Sequence, residues 1–305
     1  MRGRALRVSG WEVLVGLDGG EILCQLRGVL KAGRREDRSP VVAGDLVRVS
    51  RTEDGRGVIE SVLPRTSNLA RMATGGRPTR QVIASNLDRF FVVCAAIDPA
   101  PSTGFIDRAL VMAASGGIEE IVICVNKTDL DDGDSRRPLV DLYRDLDYPV
   151  VEVSAATGAG MESLAESLRE GVSVLVGPSG VGKSAILNRL EPGLRLKTQG
   201  LMRHHDRGRH TTTAASLHRL RGGGYVVDTP GLKQLQPGGV GASDLVEYYR
   251  EMKPLAGRCR VRDCTHIHEP GCAIREAVER GQISGSRYDG FQRAHGDAVA
   301  REAAE

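Results

Sequence analysis

The stretch VNKTDL at residues 125–130 follows the apolar run EEIVIC, and GPSGVGKS at 177–184 follows another, VSVLV. The second stretch matches G-x-x-x-x-G-K-[ST], a loop that cradles nucleotide phosphates. The first has the form Asn-Lys-x-Asp, in which a carboxylate can read guanine. A domain that uses both normally carries the phosphate loop first and the guanine reader near its end. Here the order is reversed. Either VNKTDL is a chance match, an exposed turn and no more, or the domain is wired in a different order.

The phosphate loop is the stronger signal. Phosphates need many donors at close range, and glycine lets backbone N–H groups turn inward with no Cβ in the way. Gly177, Gly180 and Gly182 serve that purpose, with Pro178, Ser179 and Val181 between them. Lys183 reaches the β- and γ-phosphates, and Ser184 offers its hydroxyl to Mg²⁺. From Lys183, Ser184 and Ala185 onward, KSAILNRL reads as a helix whose positive end faces the phosphates.

Asp129 can accept from both guanine N1–H and the exocyclic amine, an arrangement adenine does not offer, so it selects GTP over ATP. Asn126 and the stem of Lys127 are expected to flank the purine, with Thr128 between reader and lysine. VSAATG at 153–158 supplies Ser154 and Ala155 for the loop whose backbone N–H meets guanine O6. YVVDTPG at 225–231 supplies Asp228, to hold a water on Mg²⁺, and Gly231, whose N–H contacts the γ-phosphate. Leu232 follows, where many GTPases place a glutamine that orients the attacking water. In RGRHTTT at 207–213, one of Thr211, Thr212 and Thr213 completes the magnesium shell, with Thr212 or Thr213 favoured. His210 beside them is the candidate to orient or polarise water; a contact of a surface loop is its other reading. The catalytic set is therefore His210, Lys183, Thr212 and Thr213. All the elements are present in permuted order, joined through MESLAESLREG at 161–171.

Around these motifs strands alternate with helices. RFFVVCAA, EEIVICVN, PVVEVSA and VSVLVG read as strands; STGFIDRALVMAASGG (ending at Gly116), RPLVDLYRDL and GMESLAESLRE read as helices. That alternation predicts a mostly parallel sheet covered on both faces. Residues 195–216 lack a period and read as a mobile loop, followed by SLHRL and GYVVDTPG as strands. From 239 the chain reads as helical, first in ASDLVEYYREM and later in CAIREAVERGQIS, with GDAVAREAAE as a frayed or disordered tail.

Residues 1–72 differ. WEVLVGL, EILCQL, DLVRVS and GVIESVL are short β-like runs punctuated by Gly and Asp-Gly, which predicts a small barrel of OB or SH3-like type. Residues 73–80, ATGGRPTR, read as a linker. The expected division is a barrel over 1–72, the linker, a nucleotide domain over 81–238 and a C-terminal segment over 239–305.

The formal net charge is only +3, but it is uneven. Residues 1–80 hold fifteen basic and nine acidic groups, and Arg203, Arg207, Arg209, Arg219 and Arg221 face only Asp206 within 200–224. Local basic surfaces suit a nucleic-acid contact. No apolar run is long enough for a transmembrane helix and no secretory leader is evident. The expectation is a soluble cytoplasmic monomer with no membrane partner.

Cys24, Cys94 and Cys124 lie in apolar runs and read as core thiols. Cys259, Cys264 and Cys272 cluster with two histidines in CRVRDCTHIHEPGC at 259–272. Cys₃His is a closed tetrahedral zinc set; on spacing alone either His266 or His268 completes it.

The permuted order, the GRHTTT stretch, and C-x4-C-x-H-x5-C followed by AIREAVERG closely resemble the bacterial small ribosomal subunit biogenesis GTPases of the RsgA (YjeQ/YloQ) family. GDLVRV, ASNLDRFFVV and FIDRALVMA add to the likeness, which spans nearly the whole chain. TQGLMRHHDRGRH and the Arg-rich loop at 31–38 depart from the family's usual pattern. The resemblance implies an N-terminal OB-fold, a circularly permuted P-loop GTPase domain and a C-terminal helical zinc-binding domain. It implies GTP and GDP with Mg²⁺ as ligands, and one Zn²⁺ on Cys259, Cys264, His266 and Cys272. It favours His210 as the catalytic candidate and implies GTP hydrolysis stimulated by the small ribosomal subunit and its rRNA during late maturation. The other expectation is an rRNA-binding protein in which GTP is a regulatory or structural ligand.

Overall fold

A computed structural model describes residues 1–28, 40–72, 80–194, 215–228 and 239–303. The N-terminal strands are β1 (Arg2–Ser9), β2 (Glu12–Leu17), β3 (Gly20–Leu26), β4 (Leu46–Arg51) and β5 (Gly57–Val62). They pair in the order β1-β2-β3-β5-β4, and β1 returns to β4, which closes a five-stranded barrel. The β3–β5 pair is parallel and the others are antiparallel. Closure in that order is the OB arrangement. In GEILCQL alternate residues Ile22, Cys24 and Leu26 turn inward, and they meet Val13, Val15, Val47 and Ile59. Burial pushes the Cys24 thiol up to about 11, as suits an inert core residue. RGRALRVS is a barrel strand that the arginines hide from a hydrophobicity reading; Ala5 and Leu6 are its buried residues.

Next come β6 (Asn68–Met72) and β7 (Arg80–Ser85), an antiparallel pair. The stretch expected as a linker thus joins two strands of one hairpin, and Arg80 already belongs to β7. A buried carboxylate fixes this hairpin to the barrel. Asp45 is 0% exposed and accepts from Val42 N (2.9 Å), Arg65 Nε (2.7 Å) and Ser85 Oγ (2.6 Å). A buried charge is tolerated when its partners are this complete.

The nucleotide-type sheet contains β8 (Arg89–Ala95), β9 (Glu120–Asn126), β10 (Val150–Glu152), β11 (Val172–Val176), β12 (Ser216–Arg219) and β13 (Tyr225–Asp228). Its order is β10-β9-β8-β11-β13-β12, parallel except for β12. β8, β9 and β11 are almost wholly buried, as continuous apolar runs should be when both faces are covered. One face packs Phe90 and Val92 with α1 (Thr103–Ser115) and α2 (Arg137–Asp145) through Ile106, Leu110 and Val140. The other packs Phe91 and Val93 with α3 (Met161–Ser167) and α4 (Lys183–Leu190) through Leu164, Ile186 and Leu187. The barrel joins this sheet at its edge, where β1 runs antiparallel to β12 and Arg7 pairs with Ser216.

The C-terminal part contains α5 (Lys253–Ala256), α6 (Ala273–Glu279) and α7 (Gly285–Glu302). Two expectations fail here. ASDLVEYYREM forms only a 3₁₀ turn over Leu245–Tyr248, and α5 starts afresh at Lys253. Pro254 lacks the N–H a continuous helix needs, yet it fits the first turn of a new one. The tail is not frayed: through Glu302 it is the end of α7, where Ala298 is buried and Glu302 Oε1 accepts from Ala242 N at 2.7 Å. Among the described residues no helix is long and apolar enough to cross a membrane.

Candidate functional site

The phosphate loop leaves β11 at the middle of the sheet, between β8 and β13, and leads into α4. Its shape depends on missing side chains. A Cβ on Gly177 would stand 2.2 Å from Val93 O, and Gly180 and Gly182 take φ of +88° and +95°. Lys183 curls back over the loop, donating to Gly177 O (2.7 Å) and Pro178 O (2.8 Å). Burial lowers its pKa; an incoming phosphate would supply the countercharge that these carbonyls only approximate. Val181 is 1% exposed and anchors the loop in the core, whereas Ser179 and Gly180 are exposed. Ser184 and Ala185 are half-buried in the first turn of α4.

Two further loops stand at the same end of the sheet, after β9 and β10. Lys127 adopts left-handed backbone at φ 62°, unusual for a non-glycine, and its ammonium donates to Asp98 O. Thr128 Oγ1 donates to Val153 O at 3.1 Å, tying the loop after β9 to the strand beside it. Asp129 is exposed, and Ser154 Oγ donates to its Oδ1 at 2.5 Å. That bond orients the carboxylate through one of its two oxygens. Ala155 N donates to Asn126 Oδ1 at 3.0 Å.

Asn126 is not where the sequence places it. It does not flank an open pocket; it is 1% exposed. Its Nδ2 donates to Val181 O at 2.8 Å while its Oδ1 holds Ala155 N, so one amide joins the phosphate loop to the loop after β10. Gly182 makes room for it, since a Cβ there would meet Nδ2 at 2.2 Å. One residue outside every motif also enters: Arg189 of α4 donates to three carbonyls of the 154–158 loop.

Asp228 ends β13 opposite Ser216 of β12. His210, Thr211, Thr212, Thr213, Gly231 and Leu232 lie outside the described residues.

The second site is the Cys/His knot. The ligand atoms of Cys259, Cys264, His266 and Cys272 all lie within 4.8 Å of one another. His266 Nδ1 is 3.4 Å from Cys259 Sγ and 3.6 Å from Cys272 Sγ, and those two sulfurs are 3.9 Å apart. A zinc tetrahedron with ~2.3 Å Zn–S bonds has S–S edges of roughly 3.8 Å, so the set fits one ion. Burial lowers the pKa of His266, which favours the neutral imidazole that ligates metal. Burial pushes Cys264 up to about 12, so metal binding must release protons. Tyr288 Oη donates to His266 O at 2.8 Å and holds its left-handed turn (φ 66°). His268 is outside the cluster, its side chain 80% exposed. The other three cysteines are buried, and burial pushes Cys94 up to about 12.

A family model described as RsgA GTPase matches residues 62–237. The chain is 38% identical over 293 residues to the small ribosomal subunit biogenesis GTPase RsgA of Gemmatimonas aurantiaca, covering 95% of this chain and 94% of that protein. It is 37% identical over 308 residues to the protein of the same name from Thermotoga maritima, covering 99% and 98%. The crystal structure of YjeQ from Thermotoga maritima matches with a TM-score of 0.80 at 36% identity over 98% of both chains. YloQ, described as a circularly permuted GTPase, matches with a TM-score of 0.75 at 25% identity, covering 98% of this chain and 95% of that one.

Proposed function

The chain belongs to the RsgA GTPase family, and from that premise we propose that it hydrolyses GTP on the small ribosomal subunit during its late maturation, with subunit binding accelerating turnover. The observation that carries the reading is Asn126. One buried amide connects phosphate loop, Asn-Lys-x-Asp strand and Ser-Ala-Ala loop, which supports reading three stretches in permuted order as one nucleotide site.

In this reading Lys183 neutralises charge on the β- and γ-phosphates, and the amides of 177–184 hold them. Ser184 would hold Mg²⁺, with Asp228 and Thr212 or Thr213 as the other residues that would serve it, and the ion would neutralise charge on the phosphates. Asp129 reads guanine N1–H and the amine, and the loop that Ser154 and Ala155 open after β10 meets O6. Leu232 cannot orient water, and the family resemblance favours His210 for that role. Zn²⁺ on Cys259, Cys264, His266 and Cys272 would stabilise a C-terminal part whose small core is completed by Val111 of α1. The basic barrel face and the zinc module contact rRNA, through a phosphate-dominated interaction that salt weakens.

The test is GTP hydrolysis by the purified protein, alone and with small ribosomal subunits, at two salt concentrations. Strong stimulation that falls with salt is expected. GTP binding without stimulation would replace this reading with an rRNA-binding protein for which GTP is a regulatory ligand.

A further inference from the structure

Arg189 belongs to no nucleotide motif, yet it makes the densest set of contacts to the loop that follows β10. It lies in the last turn of α4, where an arginine ordinarily favours its own helix's carbonyl end. Here its acceptors lie on another loop. Nη1 donates to Ala155 O and Ala156 O at 3.1 Å each, and Nη2 to Thr157 O at 3.1 Å. Gly158 permits this approach, since a Cβ there would stand 2.3 Å from Nη2.

The consequence follows from peptide planarity. A trans peptide's N–H points opposite to its C=O. Turning the carbonyls of 155 and 156 toward α4 therefore turns the amides of 156 and 157 away from it. The peptide between Ala156 and Thr157 is gripped at both ends: its oxygen by Arg189, its N–H by Ser154 Oγ at 3.0 Å. Ser154 in turn donates to Asp129. A continuous chain of hydrogen bonds thus runs from the phosphate-binding helix to the carboxylate that faces the base.

We propose that Arg189 is a positioning residue for base recognition, which fixes the Ala156 amide, through the Ala155 carbonyl of the same peptide, and, through Ser154, the Asp129 carboxylate against a guanine ring. A lysine would keep the charge but could not present the planar fork that engages three carbonyls. This role rests on reading 154–158 as the guanine loop.

The experiment measures GDP and ADP affinity by titration calorimetry for the native chain, Arg189→Met and Arg189→Lys. Arg189→Met is expected to weaken GDP about tenfold, the scale of one net hydrogen bond lost. ADP binding is expected to change by less than about twofold, and Arg189→Lys to fall between. Equal loss of GDP and ADP, or unchanged GDP affinity, would overturn the proposal. A native chain with no preference for GDP over ADP would instead overturn the guanine-loop reading on which it rests.

Discussion

Arg287 of α7 and Asp107 of α1 lie 180 positions apart and form an ion pair in which each side chain is 1% exposed. Arg287 Nε also donates to Glu251 at 2.7 Å, its guanidinium lies 4.6 Å from the Tyr249 ring centre, and Tyr143 Oη donates to Asp107 Oδ1 at 2.7 Å. Burial alone would pull the pKa of Arg287 down, but the facing carboxylates of Asp107 and Glu251 push it up on balance. Gly290 lets α7 come this close, because a Cβ there would stand 2.2 Å from Asp107 Oδ2. The C-terminal part is therefore bonded to a helix of the nucleotide-type sheet.

Arg287→Met leaves two buried carboxylates without a cation. Removing one partner of such a pair costs about 3–5 kcal/mol. Thermal unfolding of the variant is expected several degrees below the native chain; an unchanged Tm would mean that the pair contributes no net stability.

Asp129→Asn exchanges an acceptor for a donor opposite the guanine amine and N1–H. Affinity should fall for GTP and rise for XTP, whose C2 oxygen accepts. Competition between the two nucleotides checks this, and unchanged GTP affinity would remove Asp129 as the base reader.

Gly182→Ala strikes both its own backbone, at φ +95°, and the Asn126 amide. A site joined through that amide should lose GTP affinity at least tenfold, in line with left-handed strain of about 1–2 kcal/mol plus a displaced buried hydrogen bond. Fluorescent-nucleotide binding reads the loss. Lys183→Ala should abolish binding or turnover by removing the charge that faces the β- and γ-phosphates.

Metal content separates the two histidines. Cys264→Ser and His266→Ala should each lose the one zinc ion held by the native chain, and His268→Ala should retain it. Loss of zinc in His268→Ala would contradict a four-residue site built on His266.

Much of this was legible because each motif needs particular residues at a fixed spacing. The glycines of GPSGVGKS, the Asn-Lys-x-Asp tetrapeptide and the Cys₃His set act locally, and the structure brings the described members of each together. Asn126 was misplaced because sequence shows that an amide follows a buried strand but not which way it turns. Arg189 carried no signal at all: its partners are carbonyls, which every residue has. β1 was missed because Arg2, Arg4 and Arg7 break up a run whose buried residues are Ala5 and Leu6. The helix expected over 242–252 overlooked a Pro254 that sits two residues past its end.

The pairing of Arg7 with Ser216 has a consequence for solubility. Without it β12 would be an outer strand of the sheet, with unpaired N–H and C=O groups beside an apolar interior. Such edges template association between chains. The barrel blocks that side at Ser216, and at the opposite side β10 is only three residues long. The barrel therefore also works as a guard, standing at the margin along which two copies of the sheet would otherwise join.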